Sequence, residues 1–183
     1  MLKFILSCFY FFLPAYFTNM TPPLSHRAGI LKFLAKPIDG NKKFLGDPLF
    51  GSHKTWRGAI LGIFVGFLVV LLQTQLYQKN FFREISIVDY GQINILLFSF
   101  LLSGGAVFGD LLFAFIKRRL RLQPGAKFIP FDQINYVIGA YLFLNPFFKI
   151  SFSSWISLLV LTFFLHIIFN RLGYLLGLHK AKW

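Results

Sequence analysis

Five stretches of the chain are almost free of charge, and the polar residues between them gather into strongly basic connectors. The apolar stretches run over about 4–18, 58–77, 93–116, 132–148 and 155–177. A helix needs roughly 20 apolar residues to cross the hydrocarbon of a bilayer. The pattern therefore predicts an all-α polytopic membrane protein with about five transmembrane helices. The first and fourth stretches are short, with Pro14 and Pro146 near their ends. Lys3 ahead of an apolar run also suits a secretory leader, but Pro14, Tyr16 and Phe17 stand where a cleavage site needs small residues, so the run reads as a span.

Within the stretches, small residues recur four apart: Gly58, Gly62 and Gly66, then Gly105 and Gly109, then Gly173 and Gly177. In lipid such faces let helix backbones approach closely. They predict packing seams, and with them a tight bundle or a homodimer.

Composition sharpens this picture by exclusion. The 183 residues are 56% hydrophobic and 14% charged, with mean hydropathy +0.65. Soluble domains carry roughly 25% charged residues. Disorder does not fit 26 Phe, and a single Cys excludes a disulfide scaffold. No connector is long enough to hold a soluble core, so 1–183 reads as one transmembrane domain with loops at about 19–57 and 117–131.

Charge gives orientation. Seven Lys and Arg lie in 19–57, five in 117–131 and two, Lys180 and Lys182, in the tail; with five spans these share one side, against four on the other. The positive-inside rule then puts the N-terminus outside and the C-terminus in the cytoplasm. The chain is expected in the plasma (inner) membrane with its basic loops facing the cytoplasm. The net charge of +13 suits phosphate-bearing partners, nucleotides and anionic lipid headgroups rather than nucleic acid for a chain in the membrane.

Six acidic residues stand out against this background. Asp110 lies within the third stretch, where a carboxylate costs about 2.5–3.5 kcal/mol and so needs a partner or a function. Lys117 is seven residues on, on the same helix face and about 10 Å nearer the loop. Asp132 opens the fourth stretch. Two carboxylates beneath Lys117, Arg118 and Arg119 match a metal–triphosphate site, because magnesium takes one or two protein carboxylates and completes its shell with phosphate and water. Lys117, Arg118 and Arg119 by themselves are only the topology signal.

A second constellation precedes the second stretch. Thr55 is a helix N-cap flanked by Lys54 and Arg57, which makes a natural phosphate site. Trp56 belongs to the interfacial aromatic belt. The Gly46–Gly51–Lys54–Thr55 run is no Walker A loop, because the lysine is displaced and no strand precedes it. His166 and Asn170, four apart on the last stretch, read as interhelical glue. Cys8 reads as an apolar residue, and the His and Cys positions show no zinc spacing.

The segments LPAYFTNMTP (13–22), PIDGNKKFLGDPLFGSHKTWRG (37–58), GDLLFAFIKRR (109–119), PGAKFIPFDQINYVIGA (124–140) and HIIFNRLGYLLGLHKAKW (166–183) resemble, in combination and order, the CDP-archaeol synthase family of CTP-dependent membrane cytidylyltransferases. They also look like shortened relatives of phosphatidate cytidylyltransferase signatures. The resemblance implies a reaction joining CTP to a phosphatidate- or archaeol-phosphate-type lipid in phospholipid biosynthesis, with pyrophosphate released and Mg2+ required. It implies metal ligation by Asp110 and Asp132, and phosphate binding by Lys54, Arg57, Lys117, Arg118 and Arg119. Two positions depart from it: Ala114 stands where the family tends to have Ser, and Asn135 where it tends to have Asp. Asn135 keeps a carbonyl oxygen for a metal but brings no charge. Two other readings stand beside the enzyme: a lipid-binding or carrier protein using the same cations, and a folded but inactive paralogue. A CDP-alcohol phosphotransferase is disfavoured, because its Asp-rich motif is absent.

Overall fold

The computed structural model describes residues 1–123 and 126–175, so Gly177, Lys180, Lys182 and the Pro124–Gly125 step of the expected motifs lie outside the described residues. Six α-helices account for most of the described chain: α1 (Leu2–Ala28), α2 (Trp56–Leu76), α3 (Asn80–Ile85), α4 (Ile95–Arg119), α5 (Phe131–Leu144) and α6 (Phe152–Leu175). Among the described residues α1, α2, α4 and α6 are long and apolar enough to cross a membrane. The fourth expected stretch becomes α5, which at 14 residues spans only about 21 Å. Pro130 stands at its N-cap and Asn145 at its C-cap, with Pro146 just beyond. Its first turn is polar because it lines a cavity rather than lipid.

The first helix is longer than its apolar stretch. It runs through Pro14, Pro22 and Pro23 to Ala28, ten residues past the expected end at 18. A proline in a helix leaves the carbonyl four residues back without its N–H. The break at Pro14 is answered from a neighbouring helix, and hydroxyls of α1 add bonds to carbonyls nearby. The Tyr10 carbonyl that Pro14 leaves open accepts from Gln73 Nε2 of α2 at 2.5 Å. Thr18, Thr21 and Ser25 return their hydroxyls to the Pro14, Phe17 and Pro22 carbonyls. Lipid supplies no such partners, so a proline-bearing span has to find them inside the protein.

The glycine seams of α2 and α4 serve contacts within the chain. Gly58 faces Pro22, and Gly62 faces the Thr18 backbone, so α1 and α2 touch along their small faces. Gly105 and Gly109 of α4 lie on Gly139, Ala140 and the Asn135 backbone of α5. This antiparallel α4–α5 contact draws Asp110 and Asn135 to the same level. A cluster of rings, Phe11, Phe12, Tyr16, Phe98, Tyr136 and Trp155, fills the centre between α1, α4, α5 and α6. On α6 the His166–Asn170 pair bonds within its own helix at 2.9 Å instead of gluing two helices together. The expected pairing across helices is replaced by one four residues apart, the natural reach along a helix face.

The basic loop expected over 19–57 is ordered and begins only at Gly29. It holds a 3-10 turn (Lys32–Leu34) and a two-residue hairpin, β1 (Lys43–Phe44) with β2 (Asp47–Pro48). A bridge from Pro37 to Thr55 closes it. Asp39, 6% exposed, is its staple: its carboxylate accepts from Asn41 N at 2.9 Å, Phe50 N at 3.0 Å and Gly51 N at 3.1 Å. Burial alone would raise its pKa. The three backbone N–H groups outweigh burial and hold the carboxyl below its usual value.

Candidate functional site

Asp110, Asp132, Lys54, Lys117, Arg118 and Asn135 line one cavity of about 600 Å³ of empty space, mouth included, at the end where α1 finishes and α2 begins. Its other walls are Phe50 to His53 and Ala114. Each helix end contributes by ordinary local chemistry. Lys117 and Arg118 sit in the last turn of α4, where cations oppose the helix dipole. Asp132 sits in the first turn of α5, where an anion does the same. Thr55 caps α2 by accepting from Gly58 N at 3.3 Å, which places Lys54 at the mouth of that helix.

The two carboxylates meet different lysines. Lys54 Nζ donates to Asp110 Oδ2 at 2.6 Å, and Lys117 Nζ to both oxygens of Asp132 at 2.9 Å. Asp132 Oδ2 also accepts from Phe128 N at 2.9 Å, and Lys117 Nζ donates to the Ala126 carbonyl at 2.6 Å. All four side chains are partly exposed to the cavity. Asn135 is 6% exposed and its Oδ1 has no hydrogen-bond partner, nor has Arg118 Nε. A buried acceptor without a donor is costly and uncommon. Here it lies beside two carboxylates, which is a donor set of three oxygens suited to a hard cation. Among the described residues there is no cluster of three His, Cys, Asp or Glu, so a metal here would rest on Asp110, Asp132 and the Asn135 carbonyl.

Two expected phosphate binders point elsewhere. Arg57 is 4% exposed, and its Nη1 donates to the Ile30 carbonyl at 3.2 Å, tying the turn after α1 to the start of α2. Arg119 donates to the carbonyls of Phe44, Asp47 and Pro48, and its guanidinium lies 5.3 Å from the Phe44 ring centroid and 5.0 Å from that of Phe115. Both arginines hold the loop in place, and neither lines the cavity.

A second cavity, about 440 Å³ and mainly apolar, adjoins the first. Thr18, Asn19 and Pro22 of α1, Gly58 and Ala59 of α2, and Ala106, Val107 and Leu111 of α4 line it. The two cavities share His53, Lys54 and Asp110, so the Lys54–Asp110 pair stands between them. The sequence assigns no role to Asn19, and it offers His53 only as a member of the constellation before the second stretch. His53 had a signal in its position beside Lys54. Asn19 lay just past the expected end of the first stretch, and only the longer α1 turns it toward the cavity.

The sequence profile of the CarS-like CDP-archaeol synthase family matches residues 1–183. A CDP-archaeol synthase of Methanococcus aeolicus is 33% identical over 184 residues, covering 98% of this chain and 97% of that one. One from Thermococcus onnurineus is 37% identical, covering 100% and 99%. A solved structure described as an intramembrane enzyme for archaeal membrane lipids biosynthesis superposes with TM-score 0.70 at 22% identity, over 88% of this chain and 90% of that one.

Proposed function

The chain belongs to the CDP-archaeol synthase family, and on that basis we propose that it is a CTP-dependent cytidylyltransferase that converts a membrane lipid phosphate to a CDP-lipid and releases pyrophosphate. The observation that carries this reading is the meeting of a polar, cation-lined cavity and an apolar one at the Lys54–Asp110 pair. The reaction needs one water-borne substrate bearing a triphosphate and one that keeps its chains in the bilayer. The polar cavity suits the CTP, with Lys54, Lys117 and Arg118 neutralising phosphate charge. The apolar cavity suits the lipid end, and Asn19 in its lining would offer an amide to the lipid phosphate. An oxygen of the lipid phosphate attacks the α-phosphorus of CTP, a new P–O bond forms, and the bond to the β-phosphate breaks as pyrophosphate leaves. No protein nucleophile is needed, so catalysis rests on positioning and charge neutralisation. Mg2+, held by Asp110, Asp132 and Asn135, would supply further neutralisation of the triphosphate. The positive-inside rule, applied to the basic loops, supports a site that faces the cytoplasm.

The test is direct. Purified protein is incubated with labelled CTP, Mg2+ and a panel of phosphatidate- and archaeal-type lipid phosphates. Metal-dependent CDP-lipid is expected, and Asp110→Asn should lower the rate by roughly a hundredfold or more. CTP binding without product on the whole panel would instead mark an inactive paralogue. No CTP binding would mark a lipid carrier.

A further inference from the structure

Two leucines in the basic loop adopt the left-handed backbone conformation that favours glycine: Leu31 at φ 46 and Leu45 at φ 53. A β-carbon there crowds the following carbonyl. Strain of this kind persists where the surrounding structure enforces it, and it gathers at functional positions. Both leucines turn outward. Leu45, at the hairpin tip, is 82% exposed, and its neighbour Phe44 is half exposed. Leu31 and the nearby Phe33 are exposed in the same way. Two separate turns therefore hold bare apolar side chains away from the protein, at positions where Asn or Gly would be less strained.

The chemistry around these tips is equally one-sided. Lys32, Lys36, Lys42 and Lys43 are exposed, and among the described residues none of them forms a salt bridge. The acidic Asp39 of this loop is turned inward onto backbone N–H groups. The depth is set by α4. The Phe44 ring lies 6.3 Å from that of Phe115, which sits one turn inside the end of that membrane-crossing helix, and Arg119 covers both rings. The hairpin thus lies alongside the last turns of that helix. Arg57 likewise ties the Ile30 turn to the first turn of α2, beside the exposed Trp56.

From this geometry we infer that Leu31, Phe33, Phe44 and Leu45 form an interfacial collar that inserts into the leaflet at this end of the bundle, with the four lysines meeting anionic headgroups. Apolar residues backed by lysines bind anionic interfaces in this manner, about 5–10 Å into the boundary region. The collar is continuous with the site. Asp39 staples the hairpin loop to Phe50 and Gly51, which form the cavity wall. Membrane seating therefore braces that wall. The surface stands whatever chemistry the cavity performs.

The test uses the full chain reconstituted in vesicles of phosphatidylcholine and phosphatidylglycerol. Leu45→Cys, and separately Phe33→Cys, carry a nitroxide; the unsubstituted chain, whose Cys8 is buried, is the labelling blank. Collision with oxygen and with a water-soluble nickel chelate then reports depth, calibrated with spin-labelled lipids. Both labels are expected below the phosphate level, with oxygen collisions dominating. Exposure to the chelate equal to that of an aqueous label at both sites would overturn the proposal. So would spin–spin broadening at position 45, which would assign the tip to contact between two copies. A Leu31→Asn, Leu45→Asn double variant guards against a labelling artefact. Asn tolerates this backbone, so the fold should be retained while chelate access to a label at Phe33→Cys rises several-fold. Unchanged access would count against insertion.

Discussion

Asn135 is the residue whose chemistry can be read most directly. Its side-chain oxygen is buried without a donor beside two carboxylates that are already paired to lysines. Replacing it by Asp adds a negative charge to the same cavity. Asn135→Asp is therefore expected to lower the Mg2+ concentration for half-maximal activity several-fold, read from a metal titration at saturating CTP; an unchanged requirement would place that oxygen outside the metal's reach. Asp39 gives a pH dependence with a definite sign. Its folded pKa is depressed, so the stability it contributes is present above the unfolded value of about 3.9 and is lost as pH falls through the lower folded value. Protease nicking of the loop should be slow and constant above about pH 5 and should rise on the acid side. Asp39→Asn should nick faster at neutral pH and lose that acid-side rise. Asp110 and Asp132 were legible as chemistry because carboxylates are rare in this chain. The loop role of Asp39 was not, because a staple is visible only when the N–H groups it holds are seen.

At the scale of elements, the α4–α5 contact decides whether the site exists. Gly109 packs so closely on the Asn135 backbone that a methyl group there would overlap it. Gly109→Ala should separate the helices and with them Asp110 from Asp132, costing about 1–3 kcal/mol of stability and most of the activity. Gly104→Ala is the matched control, since an added β-carbon there meets nothing within 4 Å. Thermal unfolding in detergent and turnover should fall together in the first variant and in neither respect in the second. The small-residue spacing announced these seams, but spacing alone could not say whether the partner was a second copy or another helix of the same chain. The continuation of α1 past 18 was equally hidden, because prolines read as helix ends until the carbonyl that Pro14 orphans is seen to find Gln73 of another helix.

For the molecule as a whole, the arrangement of α1, α2 and α4 matters most, since it opens an apolar chamber against the polar one. This predicts a split in kinetics. Asn19→Leu keeps the size of the side chain and removes its amide, and among the described residues that amide has no hydrogen-bond partner in the protein. The KM for the lipid phosphate is expected to rise about tenfold, as for one lost hydrogen bond to a charged acceptor, with the KM for CTP unchanged. Equal shifts in both would show that the two chambers are not divided between the substrates.

The sequence by itself determined the membrane class, the helical architecture and the scarce carboxylates, because hydropathy and helix length are local properties that act without regard to neighbours. It also marked the basic connectors, though not what each cation does there. Tertiary structure alone decided that Lys54 faces Asp110 and Lys117 faces Asp132, while Arg57 and Arg119 bind loop carbonyls instead of lining the cavity. The direction of a long side chain follows from how a loop is folded and stapled onto helices distant in sequence, and no periodicity along the chain carries that information.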